Sequence, residues 1–409
     1  MRAPRPRQLP LAPLAAPARR HLPLAEEVAS SDKVRPIYCV WEITLACDLA
    51  CRHCGSRAGR ARPDELSTSE CLDLVRQLAE LDVKEVTLIG GEAYLRPDFA
   101  VIVRKLSELG IQTSMTTGGR GLTRELAQSA RAAGLSAVSV SLDGLAATHD
   151  RLRGVAGSFD AALAAMEHCR EAGLAVYNNT QINRLSMPEL PRLLRVIAEH
   201  GSSAWQLQLT VPMGRAVDEP EVMLQPYDLL QLFPLLAELK PIADSAGVII
   251  FRGNNLGYFG PYETLFKGWT AAGHHSSCGA ALSTLGIEAD GTVKGCPSLG
   301  TQQWGAGNVR DASLESIWER GKPMRYTRRR GIDDLWGYCR QCYYADVCRA
   351  GCTWMADMLL GKPGNNPYCH HRALEFQTRG LRERVEKVQE APGQPFDQGL
   401  FQIVEEPLA

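Results

Sequence analysis

The sequence Cys-Asp-Leu-Ala-Cys-Arg-His-Cys, residues 47–54, places Cys47, Cys51 and Cys54 in a C-x3-C-x2-C arrangement. It follows a β-branched segment, residues 37–45, that predicts a strand, so the cysteines lie on the loop at the carboxyl end of that strand. Loops at this end carry the catalytic groups in β/α barrels. Thiolates bind zinc or iron–sulfur clusters, and three of them on a cubane leave one iron open. A zinc site that borrows the intervening histidine is the alternative.

The segments on the carboxyl side of this loop repeat one pattern. Between residues 37 and 210, short β-branched segments alternate with amphipathic stretches, which predicts six β/α units. Such alternation indicates a parallel sheet with right-handed crossovers. Periodicity alone leaves two architectures open, a partial barrel and a doubly wound sheet.

The predicted strand ends carry glycine and polar residues. Gly90 and Gly91 would let a ligand approach the backbone, and Glu92 could accept hydrogen bonds from an ammonium group. Turns after strands are often built from Gly, Ser and Asp, so for Asp143 a cap or turn role competes with ligand binding. Because parallel strands end at one edge, these residues are expected to share a rim.

Seven further cysteines lie near the carboxyl end of the chain. Four of them form a C-x2-C-x5-C-x3-C run over residues 339–352. Seven cysteines need more than one metal site, and two zinc sites are an alternative to iron–sulfur clusters. A disulfide framework is a poor explanation in a reducing compartment. The seven are Cys278, Cys296, Cys339, Cys342, Cys348, Cys352 and Cys369.

The first cysteine loop and the strand ends together resemble the radical S-adenosylmethionine (SAM) superfamily over roughly residues 35–215. The resemblance implies an α/β fold, a partial (β/α)6 barrel, in which Cys47, Cys51 and Cys54 hold a 4Fe–4S cluster whose open iron is chelated by SAM. The implied SAM contacts are His53 beside the adenine, Gly90, Gly91 and Glu92 at the methionine end, Ser141 and Asp143 near the ribose, Met213 in a segment closing over the adenine side, and Thr117, Gln181 and Asn183 on the same rim.

The C-terminal cysteines resemble the SPASM extension of peptide-modifying radical SAM enzymes. The resemblance implies two auxiliary 4Fe–4S clusters, and therefore three clusters in all. The implied ligands are Cys278, Cys296 and Cys352 for the first auxiliary cluster, and Cys339, Cys342, Cys348 and Cys369 for the second. Several relatives have a further cysteine where this chain has residues 280–284, so we expect an open iron that substrate, solvent, His274 or His275 could occupy.

Composition sets the broad class. The 409 residues are 45% hydrophobic and 22% charged, with a net charge of −1, so no global attraction to nucleic acid or anionic membrane is expected. No apolar run is long enough to span a membrane, and we expect a cytoplasmic protein. The predicted organisation is a flexible N-terminal tail (1–34), a radical SAM partial barrel (35–235), a bridging region (236–275), a SPASM domain (276–380) and an irregular C-terminal tail (381–409).

The resemblance also suggests a reaction and its partners. It implies that SAM is cleaved reductively to a 5′-deoxyadenosyl radical that takes hydrogen from a substrate, with an external electron donor such as flavodoxin or ferredoxin. A ribosomally made precursor peptide is the favoured substrate, by cross-linking, epimerisation or another oxidation. A small molecule or tetrapyrrole, and a non-catalytic electron-transfer protein, are the alternatives. Pro297 replaces the Asp that sulfatase-maturating enzymes carry after the second early cysteine, which counts against that activity.

Two further residue groups carry weaker expectations. Epimerisation needs a hydrogen donor, for which Cys39 on the first strand is the candidate, although a buried cysteine is also a common core residue. Leader-peptide recognition could use the basic run of four arginines, for which a solvated face is the competing interpretation. These four are Arg325, Arg328, Arg329 and Arg330.

Overall fold

A computed structural model of the chain describes residues 34–267 and 278–408. The strands are β1 Tyr38–Thr44, β2 Glu85–Gly90, β3 Gln112–Thr117, β4 Ala137–Ser141, β5 Ala175–Ile182, β6 Ala204–Leu209, β7 Ile249–Arg252, β8 Thr284–Ile287, β9 Thr292–Lys294, β10 Gly307–Asn308, β11 Leu381–Gln389 and β12 Leu400–Pro407.

The helices before the gap lie mostly between successive strands: α1 Thr68–Glu80, α2 Phe99–Glu108, α3 Arg124–Ala133, α4 Ala146–Arg153, α5 Ser158–Glu171, α6 Leu190–Glu199, α7 Leu229–Ser245 and α8 Glu263–Lys267. The helices after the gap are shorter: α9 Thr301–Trp304, α10 Leu314–Arg320, α11 Arg325–Arg329, α12 Gly337–Arg340, α13 Ala345–Cys348, α14 Thr353–Leu360 and α15 His370–Thr378.

Within the described ranges, ten strands form one sheet in the order β10-β9-β8-β1-β2-β3-β4-β5-β6-β7. The strands β1 to β7 are parallel neighbours in chain order, β8 pairs parallel with β1, and β9 and β10 continue antiparallel. The predicted α/β fold is therefore confirmed. Residues of β7 were expected only to bridge two domains, but they pair with β6 as a seventh parallel strand.

The two faces of the sheet differ in polarity. Cys39 pairs with Val86 and Trp41 with Leu88, and these four side chains are buried in the apolar layer under the helices. Alternate residues point to the opposite face. That face is polar, and there the Tyr38 hydroxyl donates to Thr87 Oγ1 at 2.9 Å. The site must be built on this polar face.

The C-terminal segment corrects one expectation. The irregular tail predicted for residues 381–409 is wrong, because β11 and β12 form an antiparallel hairpin. Its apolar residues follow no strict alternation, and pairs of charged side chains such as Arg384 with Glu406 join its strands, so a hydrophobic period does not reveal it. The predicted N-terminal tail lies outside the described residues apart from its last position, and the predicted domain boundaries remain predictions.

No helix in the described part of the chain combines the length and the apolar character needed to cross a membrane.

Candidate active site

A cavity opens at the carboxyl ends of the parallel strands, with an empty volume of about 800 Å³ including its mouth. It brings together most of the residues that the sequence singled out on separate strand ends. Because these ends meet at one edge of a parallel sheet, the shared rim was predictable. Its predicted members are Cys47, Cys51, Cys54, His53, Gly90, Gly91, Glu92, Thr117, Ser141 and Gln181.

The loop that carries the first three cysteines is closed at its base by backbone hydrogen bonds. Cys47 N donates to Gly59 O at 3.1 Å, and Gly59 N donates to Leu45 O at 2.9 Å. Burial raises the pKa of the Cys47 thiol to about 12 and also raises the pKa of Cys51. A bound metal group would favour the thiolate forms of these buried cysteines.

Glu92 lies on the floor of the cavity next to this loop. Its carboxylate accepts hydrogen bonds from Thr117 Oγ1 and, at 2.7 Å, from Gly118 N. Burial raises the pKa of Glu92 to about 7, while the two hydrogen bonds favour the ionised form. A cationic ligand group in the cavity would complete the site, because it would stabilise this buried carboxylate.

The structure gives a steric reason for the two glycines before Glu92, which the sequence did not show. A Cβ at Gly90 would lie 2.1 Å from Thr44 O, and a Cβ at Gly91 would lie 2.1 Å from Ala46 O. Both glycines therefore allow β2 to approach the start of the cysteine loop. Both glycines also line the cavity, so a ligand in it could approach their backbone.

His53, Asp143 and Arg153 form a buried charged group beside the cavity. His53 Nε2 lies 2.9 Å from Asp143 Oδ2, and Arg153 Nη2 lies 2.6 Å from the same oxygen. The Asp143 carboxylate is fully buried. Burial alone would raise the pKa of Asp143, but the charges of Arg153 and His53 hold it well below its ordinary value. The group orients His53 in the cavity wall, where His53 Nδ1 has no hydrogen-bond partner among the described residues.

Four predicted site residues have other contacts and do not line this cavity as the structure describes it. Besides its ion pairs, Asp143 accepts from Gln181 N at 2.8 Å, so the expected ribose contact is not supported. Asn183 Oδ1 accepts from Leu185 N at 2.9 Å within a turn. Met213 is buried, and its sulfur accepts from Trp354 Nε1 at 3.3 Å.

Cys39, the fourth of these residues, is fully buried on the apolar face of β1. The cavity lies on the opposite face. This geometry does not support the predicted hydrogen-donor role and favours the competing interpretation of Cys39 as a core residue.

Several residues that the sequence did not single out as ligand contacts also line the cavity, among them the long polar side chains of Arg153, Asn179, Gln208 and Arg215. Arg215 Nε donates to Cys51 O at 2.6 Å, so it holds the backbone of the cysteine loop in place. Arg153 Nη1 lies 3.6 Å from Cys51 Sγ. A fully buried Asp143 carboxylate requires a cationic partner. That this partner is Arg153, at the end of α4, depends on the fold.

Four of the C-terminal cysteines share a second cavity, with an empty volume of about 340 Å³. Its other walls are mostly aromatic and apolar, which suits a buried cluster. Asn366 N donates to Cys339 Sγ at 3.4 Å, and such hydrogen bonds favour a thiolate. The four thiols, expected on one auxiliary cluster, belong to Cys339, Cys342, Cys348 and Cys369.

The remaining three cysteines, Cys278, Cys296 and Cys352, do not line this second cavity. Cys278 and Cys352 are buried, and Cys278 Sγ lies 3.5 Å from the hydroxyl oxygen of Thr353, the residue after Cys352. Burial raises the pKa of the Cys352 thiol above its ordinary range. Soft thiolates in this grouping fit the first auxiliary site. His274 and His275, considered as further ligands, lie outside the described residues.

The basic run near these cysteines is not a solvated face throughout. Arg328 Nε donates to Ala281 O at 2.7 Å, and its guanidinium packs over the Trp318 ring. Arg330 is buried and donates to Thr353 Oγ1 at 3.0 Å. Two of the four arginines are therefore committed to internal contacts rather than to a leader peptide.

Comparison with known families gives two matches along the chain. A family model for the radical SAM superfamily matches residues 41–196, and one for the SPASM iron–sulfur cluster-binding domain matches residues 278–343. These ranges contain the first cysteine loop and four of the seven C-terminal cysteines described above.

Relatives of known name fall into two groups. An AdoMet-dependent heme synthase of Methanosarcina barkeri is 30% identical over 344 residues, covering 82% of this chain and 97% of that protein. A mycofactocin maturase, MftC, of Mycobacterium tuberculosis is 31% identical over 349 residues, covering 82% of this chain and 83% of the relative.

Among solved structures, Streptococcus suis SuiB bound to S-adenosylmethionine superposes with a TM-score of 0.63 at 17% identity, over 82% of this chain and 76% of SuiB. The structure of anSMEcpe with bound AdoMet superposes with a TM-score of 0.64 at 17% identity, over 84% of this chain and 96% of its own. At these identities, the likeness shows the shared fold.

Proposed function

The chain belongs to the radical SAM superfamily and carries a SPASM domain, and from this premise we propose that it uses SAM to abstract hydrogen from a ribosomally synthesised peptide. The reaction class proposed is an oxidative peptide modification, by cross-linking, epimerisation or another oxidation. We place the enzyme in the cytoplasm, with flavodoxin or ferredoxin as the class of electron donor.

One observation carries the proposal: three loop thiols and the buried Glu92 carboxylate face the same cavity. The donor set fits a cluster with one open iron, because Cys47, Cys51 and Cys54 supply three soft ligands. Glu92 supplies an acceptor for the ammonium group of SAM. We propose that these four residues together bind the cluster and SAM.

The protein's own residues hold the cluster and SAM in position. When bound, the cluster and SAM together supply a 5′-deoxyadenosyl radical by one-electron cleavage of a carbon–sulfur bond. Thr117 and Gly118 fix the Glu92 carboxylate so that it can orient an ammonium group. Arg215 keeps the cysteine loop in place, and Arg153, held by Asp143, lies 3.6 Å from Cys51 Sγ.

The two cysteine groups in the SPASM region support an oxidative outcome. We propose a 4Fe–4S cluster on each, giving three clusters with the one in the SAM cavity. An auxiliary cluster can accept the electron that a substrate radical loses when it is oxidised. The mycofactocin maturase among the relatives supports a peptide substrate.

A tetrapyrrole substrate is the second candidate. It is favoured by the heme synthase relative, of which this chain covers 97% at 30% identity. A non-catalytic electron-transfer role is disfavoured, because such a protein has no use for an open cavity beside the first three cysteines.

The proposal is tested on the anaerobically purified and reconstituted protein. Iron and sulfide are counted, and dithionite-driven formation of 5′-deoxyadenosine from SAM is measured without substrate, with a short peptide encoded beside the gene, and with a porphyrin. Peptide-dependent stimulation and a mass change of the peptide support the first candidate. Stimulation and product only with the porphyrin support the second, and bound zinc with intact SAM contradicts both.

Glu92→Gln is expected to weaken SAM binding by about 10- to 100-fold, because a hydrogen bond to a charged group contributes about 1.5–3 kcal/mol. The iron content should stay at the native level, since a glutamine side chain retains the shape of the glutamate that it replaces. Equilibrium binding of SAM to the reconstituted protein measures the effect.

The matched control is Glu85→Gln, which changes the same residue type at the opposite end of β2. It should bind SAM with native affinity. Equal affinity of the Glu92 variant and the native protein would show that Glu92 does not contact the ammonium group.

A further inference from the structure

The loop of the C-terminal hairpin, residues 390–399, contacts the cysteine loop although about 340 residues separate them. Phe396 N donates to Gly55 O at 3.2 Å, directly after Cys54. Asp397 Oδ1 accepts from Arg57 Nε at 2.9 Å, and Gly214 N donates to Asp397 O at 3.0 Å. The hairpin loop therefore covers the outer side of the segment that ends the C-x3-C-x2-C sequence.

Asp397 uses both carboxylate oxygens. Oδ2 accepts from Gly393 N at 2.5 Å and from Gln394 N at 2.8 Å, which closes the hairpin loop on itself. Oδ1 is left for Arg57. The side chain of Asp397 is 5% exposed, and a nearly buried, charge-assisted hydrogen bond is among the stronger polar contacts.

Arg57 transmits this contact to the cluster loop. Its Nη1 lies 2.7 Å from Asp218 Oδ2, and its Nη2 donates to Gly214 O at 2.9 Å, so the guanidinium is held on three sides. Its backbone has a positive φ of 49°, which is uncommon for a non-glycine residue. Arg57 N donates to Cys54 O at 3.3 Å, and Ala58 N approaches Cys54 Sγ at 3.4 Å.

Phe396 anchors the other side of the hairpin loop. Its φ is +58°, again uncommon for this residue type, so surrounding contacts must hold the backbone there. The centroid of its ring lies 4.1 Å from Lys294 Nζ, a fully buried ammonium group of the SPASM region. The same centroid lies 5.8 Å from Arg62 Cζ. One residue therefore links the cysteine loop to the SPASM region.

We propose that Asp397 is a positioning residue for the SAM cavity: through Arg57 it holds residues 55–58, and thereby the direction of Cys54. This inference rests on the proposed function, because it concerns how the cavity presents its third thiol. On this view the C-terminal hairpin supports the cysteine loop from outside the cavity and is more than an appendage of the SPASM region.

The test compares Asp397→Ala, Arg57→Gln and the double variant in the full-length reconstituted protein. The SAM dissociation constant and the electron paramagnetic resonance spectrum of the reduced protein, with and without SAM, are measured for each. Asp397→Ala is expected to raise the dissociation constant about tenfold and to alter the SAM-dependent spectrum. The double variant should be no worse than the poorer single variant, because both changes break one path.

Glu406→Gln is the matched control, since it breaks charged contacts within the same hairpin but none with the cysteine loop. It should keep native affinity and spectra. Should Asp397→Ala fail to fold, Asp397→Asn, which retains an acceptor oxygen for the hairpin loop, is measured in its place, with a smaller shift expected.

Native affinity and spectra for the Asp397 variant, or additive effects in the double variant, would overturn the positioning role alone. A native protein that neither binds nor cleaves SAM would instead overturn the proposed function.

Discussion

Replacing Cys47, Cys51 and Cys54 together by alanine is expected to reduce 5′-deoxyadenosine formation to the background of the assay. It is also expected to remove about one third of the bound iron, because one of the three four-iron clusters that we propose loses its ligands. The two groups of C-terminal cysteines are separate from this loop, so their clusters should remain. Iron analysis and the dithionite-driven assay on the anaerobically reconstituted variant measure both effects.

The matched control replaces three other thiols, Cys39, Cys71 and Cys169, by alanine. All three are buried in the apolar core and line neither cavity. This variant should keep its iron and its SAM cleavage while losing some stability, because each change removes buried volume. If the control loses cleavage and the first variant keeps it, the assignment of the catalytic loop is wrong.

The part of the site that could be predicted follows from one rule of parallel sheets. The carboxyl ends of the strands meet at one edge, so Glu92 after β2, Thr117 at the end of β3 and Ser141 at the end of β4 had to share a rim with Cys47. The spacing of the cysteines left zinc and an iron–sulfur cluster open, and the resemblance to the radical SAM superfamily implied the chemistry. No long-range contact had to be known for either step.

Residues whose roles depend on a distant partner were not predictable in the same way. Asp143 has the right place on its strand, but Arg153 and His53 occupy its carboxylate. Asn183 likewise closes a turn with its own neighbours. Strand position therefore locates a side chain at the rim, whereas its orientation is set by tertiary contacts that the sequence does not display.

The C-terminal hairpin shows a second limit. In β11 and β12 charged residues recur on both faces, so no alternation of apolar and polar residues signals a strand. The hairpin is stabilised instead by cross-strand pairs and by buried contacts such as Arg372 with Glu383. Prolines near the end of the chain suggested irregular structure, but those at 392 and 395 lie in the connecting loop.

Replacing Arg153 by methionine is expected to lower the free energy of unfolding by about 3–5 kcal/mol, the usual cost of leaving a buried charge without its partner. Arg153 is 8% exposed and pairs with a carboxylate of Asp143 that is fully buried. Because the native pKa of Asp143 lies below its ordinary value, the stabilisation is present above pH about 4. It should disappear as the pH falls through the native pKa.

Urea denaturation of the reconstituted protein at neutral and acidic pH measures this effect, with Arg151→Met as the control. Arg151 is exposed on the same helix, α4, so its loss should change stability by no more than about 0.5 kcal/mol. The double variant Arg153→Met with Asp143→Asn removes both charges and should regain most of the lost stability, since no unpaired carboxylate remains. If the Arg153→Met variant is as stable as the Arg151→Met variant at neutral pH, Asp143 is not held as a buried carboxylate. His53 would then lack its anionic partner.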